Sequence, residues 1–173
     1  MTGKTVSASA VVLAQQMNPQ DANPAGNVHG GVIMKHIDTA GGTVAQRHAR
    51  SNAVTASIDR LDFHHPVYIG DLVTLKASLN HVGNKSMEVG VRVEAENLFT
   101  GQVRHTASAY LTYVALDAEG RPRAIPPLIL ETADERRRNQ EALTRRKVRL
   151  SERKREQNCQ HSEERHSRGD PQN

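Results

Sequence analysis

Cysteine, tryptophan and long apolar runs are almost missing from these 173 residues, and each scarcity narrows what the chain can be. A single cysteine, Cys159, allows no intramolecular disulfide and no thiolate metal cluster. No apolar run approaches the roughly 18 residues that a membrane-spanning helix needs. The N-terminal MTGKTVSASAVVLAQQ also has no apolar core of the kind a secretory signal carries. A cytoplasmic chain without membrane insertion is therefore expected. Aromatic residues make up 3% of the chain and none follows Tyr113, so the C-terminal region offers no stacking platform for single-stranded nucleic acid.

The hydrophobic share, 36%, is low for a globular chain of this length, and the deficit is local. Residues 1–130 carry 11 Lys+Arg against 10 Asp+Glu, whereas residues 131–173 carry 12 against 9. A nearly neutral body is thus followed by a basic appendage. Within the body, SASAVVLAQQM (residues 7–17) is short, apolar and β-branched at its centre, as a strand would be. MNPQDANPAGN (17–27) is rich in proline and asparagine and reads as irregular backbone. Beyond it Ile33, Ile37, Ala40, Gly41 and Val44 fall at helical spacing, which predicts a helix over residues 30–48. From residue 53 the period changes to two. AVTASIDRLDF, LVTLKASLNHV, SMEVGVRVEAEN and VRHTASAYLTYVAL read as four long strands separated by turns.

The order β, α, then four β predicts an α+β architecture, one long helix against a five-stranded antiparallel sheet. One helix cannot cover both faces of such a sheet, so a sheet face or edge is left for a partner and an oligomer is expected. The domain is placed at residues 7–130. Residues 131–158 are rich in helix formers with only scattered apolar side chains and read as a charged, solvated helix; residues 159–173 read as a disordered tail.

Asp38 is the residue that fits worst. It lies on the helical row of Met34, Gly41 and Ala45, bordering the buried stripe, and more than two turns in, where neither capping nor the helix dipole favours aspartate. A partly exposed pair with a Lys or Arg would explain it, and so would chemistry. His29, Gly30 and Gly31 precede the apolar stripe; two residues without side chains at a helix start leave backbone N–H groups open to a ligand oxygen. Such a start with a carboxylate further along offers an oxyanion cradle and a general base on one element.

DANPAGNVHGG leading into the helix, together with DFHHPVYIGD and GNKSMEV, resembles the hotdog-fold acyl-CoA thioesterases, both the domains of brain acyl-CoA hydrolase and bacterial single-domain YciA-type enzymes. The resemblance covers about residues 17–127. It implies a hotdog fold, a long central helix wrapped by the antiparallel sheet, and hydrolysis of acyl-CoA to fatty acid and coenzyme A. It further implies Asn23 and Asp38 as the catalytic pair, meeting across a dimer interface, with dimers assembling further to hexamers. Lys85 and Ser86, at the start of a strand, are candidates for contacts to coenzyme A, and Arg60 and Arg104 for its phosphates. No cofactor is implied, since a thioester needs only an activated water and a held oxyanion. His64 and His65 are neighbours on a strand and point to opposite faces, so no metal site is expected.

Two alternatives stand beside this. Asp21, Asn23 and Pro24 partly match the loop of hotdog hydratases, but the next histidine, His29, is displaced from that motif. A non-catalytic acyl-CoA-responsive or RNA-binding hotdog protein is suggested by Arg136 to Arg138 and Arg145 to Lys147, although interspersed glutamates weaken any nucleic-acid reading.

Overall fold

The computed structural model describes the backbone of residues 1–167 and the side chains of residues 1–156. Strands β2 (Val11–Gln16), β3 (Asn52–Phe63), β4 (Leu72–Val82), β5 (Ser86–Glu96) and β6 (Val103–Leu116) form one antiparallel sheet in the order β2-β4-β5-β6-β3. Helix α1 (Gly30–Ala49) lies on one face. Alternation explains the fit: Met87, Val89, Val91 and Val93 of β5, with Ala107, Ala109, Leu111 and Tyr113 of β6, point inward onto Ile33, Ile37, Ala40 and Val44 of the helix. The helix begins where His29 caps it, Nδ1 accepting from the Gly31 N–H (2.9 Å), and ends at Arg50, whose left-handed φ of 52° lets its N–H reach Gln46 O.

Two very short strands that periodicity cannot reveal, β1 (Lys4–Thr5) and β7 (Leu128–Ile129), pair in parallel. Near this pair the fully buried His48 receives the Ser9 hydroxyl at Nδ1 (2.8 Å) and donates from Nε2 to Pro126 O (2.9 Å), tying three distant segments together. Burial pushes the His48 imidazole below its usual range, in keeping with a neutral ring.

The C-terminal helix is largely exposed, as a charged, solvated element would be, yet one side of it docks on the sheet. Helix α2 (Ala133–Ser167) starts with a reciprocal cap between Thr132 and Glu135 and crosses the outer face of the sheet. Asn139 donates to Asn80 O (2.8 Å), Arg145 pairs with the buried Glu88 (2.7 Å) while stacking on the Tyr110 ring (3.8 Å), and Arg149 reaches Asp59. Among its described side chains only Ala142 is fully buried. The outer face is polar, so ion pairs hold the helix in place of an apolar stripe, which is why hydrophobic periodicity is silent about it. The outer sheet face is therefore partly covered within the chain, with Lys76 and Arg92 still half exposed on it, and the edges β2 and β3 remain open. The helix continues past residue 158, through residues expected to be tail; residues 168–173 of that tail lie outside the described residues.

Candidate active site

Asp38 borders the sheet where β3 and β6 run side by side. Thr55 of β3 and Tyr113 of β6 are directly opposed in the ladder, so both side chains project from the same face, toward α1. The Thr55 hydroxyl donates to Asp38 Oδ1 (2.5 Å), and the Tyr113 hydroxyl is shared between that oxygen (3.1 Å) and the Asp38 backbone carbonyl (3.0 Å). Burial, reinforced by the neighbouring Asp38 charge, pushes the Tyr113 phenol well above its usual range and keeps it a donor. Among the described residues Asp38 forms no ion pair, and its Oδ2 accepts no hydrogen bond within the chain. Asp38 is exposed, as a surface carboxylate would be, but no Lys or Arg among the described residues pairs with it.

The loop before α1 is held as tightly. Asn23 Oδ1 accepts the backbone N–H groups of Ala25 (2.9 Å) and Asn27 (3.2 Å), and the Asn23 N–H bonds Asn27 O (2.7 Å). Its carboxamide oxygen is thus committed, and only the NH₂ is left to donate. Asn23 and Gly30 line one cavity of about 340 Å³ with Val28, Ile33, Phe63 and His64. The Gly31 N–H, expected in an oxyanion cradle, is taken by His29 Nδ1, so of the two glycines only Gly30 presents an N–H without a partner.

These two groups do not meet within one chain. Gly30 and Asp38 are eight residues apart on α1, which places them about 12 Å apart along the axis, and Asp38 does not line the Asn23 cavity. This spacing is long for a cradle and base serving one carbonyl from a single copy of the helix, since the N–H must reach the oxyanion and the carboxylate the attacking water, each at about 3–3.5 Å. Sharing between two copies is left open.

The expected coenzyme A contacts separate likewise. Lys85 ends the turn before β5 and Ser86 opens that strand, beside the strand pair Met87–Tyr113 and hence toward the Asp38 end of the sheet. Lys85 is exposed, and its side chain makes no hydrogen bond among the described residues. Arg60 is largely exposed and bonded to Asp62. Arg104 pairs with the buried Asp71 (2.6 Å) and lies over the Tyr68 ring (4.9 Å), a structural engagement that competes with any phosphate. His64 stacks near His105 (4.9 Å), and no group of three or more His, Cys, Asp or Glu is placed to hold a metal among the described residues. No helix among them is long and apolar enough to cross a membrane.

Thr55 and Tyr113 were not legible as site residues. The one signal was Gly41, a helix-interior glycine where a Cβ would come within 2.5 Å of the Tyr113 hydroxyl.

Residues 25–98 match the family described as thioesterase superfamily. The chain is 42% identical over 139 residues to the cytosolic acyl coenzyme A thioester hydrolase of Mus musculus, covering 79% of this chain and 36% of that protein; it thus spans about a third of that relative's length. Over 127 residues it is 40% identical to YkhA of Bacillus subtilis, described as an uncharacterized acyl-CoA thioester hydrolase, covering 73% and 74%. The acyl-CoA hydrolase of Staphylococcus aureus, solved with butyryl coenzyme A and coenzyme A, superposes with a TM-score of 0.84 at 33% identity, covering 92% of this chain and 97% of that one. With this sequence likeness spread over one shared fold, the chain belongs to the thioesterase superfamily and has its hotdog fold.

Proposed function

We propose that this protein hydrolyses acyl-CoA thioesters to a free carboxylic acid and coenzyme A in a homodimer whose active sites are shared between subunits. The observation that carries the reading is the Asp38 carboxylate, held through Oδ1 by two hydroxyls and, among the described residues, unpaired with any cation and free at Oδ2. In the simplest route Oδ2 takes a proton from water as its oxygen attacks the thioester carbonyl. The C–S bond then breaks and the coenzyme A thiolate leaves with a proton. Direct attack by Oδ2, forming a mixed anhydride that water opens, uses the same geometry.

The developing oxyanion needs donors, and the Asn23 NH₂ and Gly30 N–H of the other subunit provide them. His29 acts as the cap that fixes this helix start, with Gly31 bonded to it. Lys85, Ser86 and Arg60 remain as contacts for coenzyme A. Edge strand β3, with Val54 and Ile58 exposed, is the natural surface for pairing. Hexameric thioesterases of Yersinia pestis and Campylobacter jejuni are among the solved relatives, which supports dimers assembling further to a hexamer. The residue assignment also draws support from S. aureus structures in which an asparagine, an aspartate and a threonine were each replaced by alanine: their spacings, fifteen and then seventeen residues, equal those of Asn23, Asp38 and Thr55.

The reaction as written requires no metal or cofactor. A cytoplasmic location fits the cytosolic mammalian relatives. Nucleic acid is not proposed as a partner, because Arg138, Arg145 and Arg149 turn toward the sheet and bond to its side chains. The test is release of free thiol from acyl-CoAs graded in chain length, beginning with butyryl-CoA. Turnover on at least one of them is expected, and none on any would refute the proposal.

A further inference from the structure

We infer that Tyr113 is a positioning residue for the reacting carboxylate, aiming Asp38 Oδ2 at the substrate by holding Oδ1 from behind; this rests on the hydrolytic reading of Asp38 above. Three observations converge. Tyr113 is 1% exposed, so its ring is fixed by packing and its hydroxyl cannot wander. It shares Oδ1 with Thr55, and donors on β3 and β6 acting on one oxygen leave a single carboxylate orientation in which the other oxygen is open. Gly41 is the third: it lies one turn beyond Asp38, and the space its side chain would fill is occupied by the Tyr113 ring and hydroxyl. Glycine is a poor helix former, and here its absent Cβ is what lets the phenol reach past the helix to the aspartate. Burial keeps that phenol protonated, so it donates throughout the working pH range.

The same hydroxyl also bonds the Asp38 backbone carbonyl (3.0 Å), and a bare tether between helix and sheet would need only that contact. Kinetics separate the two roles. Tyr113→Phe keeps the ring and removes the donor; for a positioning residue kcat falls about 10-fold to 10²-fold while KM stays within about twofold, with unchanged circular dichroism and oligomeric state. Gly41→Ala, which pushes the hydroxyl away without deleting it, should reproduce the kcat loss and covers the case in which Tyr113→Phe fails to fold. Wild-type kcat in folded Tyr113→Phe with only a lowered melting temperature would overturn the inference, as would a raised KM with kcat intact. Asp38→Asn run in the same assay keeps the failures apart. If that folded variant turns over at a near-normal rate, the catalytic reading of Asp38 falls and this inference with it; if its kcat collapses while Tyr113→Phe is normal, only the positioning role falls.

Discussion

If Asn23 and Asp38 act together only across an interface, two inactive variants should repair each other. Eight residues of helix separate Gly30 from Asp38, about 12 Å along the axis, and Asn23 shares its cavity with Gly30. Within one copy the oxyanion donors and the carboxylate that activates water would have to act across that length, whereas two copies can bring them face to face over one thioester. Asn23→Ala and Asp38→Asn proteins would each be inactive alone. In a mixed dimer one site combines the intact Asn23 of one subunit with the intact Asp38 of the other, and the second site lacks both. Random exchange makes about half of the dimers mixed, so recovery should approach about a quarter of wild-type turnover. The assay is thiol release after mixing, with native mass spectrometry to establish that subunits have exchanged. Mixed dimers that remain at the single-variant baseline would refute the shared site.

Two further outcomes follow from the packing and the buried histidines. Arg145→Ala leaves the Glu88 carboxylate buried beneath α2 and should lower stability by about 3 kcal/mol in urea unfolding; a change under about 0.5 kcal/mol would show that the helix is not held there. Burial lowers His48, His81 and His105 from their ordinary value in the folded chain, so the unfolded chain binds more protons in this range. Their contribution is fully present above the unfolded value near 6.5 and is lost as pH falls below it, at up to about 1.4 kcal/mol per pH unit for each histidine. Replacing His48 by Gln should flatten that acid limb, and an unchanged slope would contradict the assignment.

Much of the fold was written in local pattern. The stripe from Ile33 to Val44 placed α1 within a residue of its observed end, and period-two alternation placed β3 to β6 nearly as closely, because these elements bury apolar faces whose spacing the backbone dictates. Features made by pairing over distance were not legible. Arg145 and Arg149 look like solvated charges until Glu88 and Asp59 face them across α2, and Arg104 looks free until the turn carrying Asp71 folds beneath it. The same holds at the site. Asp38 announced itself by being misplaced on its helix, but Thr55 and Tyr113 become its partners only through the β3–β6 register, and the difference between Gly30 and Gly31 rests on which N–H the His29 ring takes.

Everything proposed for the chemistry passes through one side chain, so kcat of Asp38→Asn on the best acyl-CoA substrate is the decisive measurement. Asparagine preserves the shape and can still accept from Thr55 and Tyr113 but cannot take a proton from water or attack a carbonyl. A loss of about 10² to 10⁴ in kcat is expected from a protein whose circular dichroism and assembly match wild type. Near-normal turnover by that folded variant would mean that Asp38 is not the catalytic group.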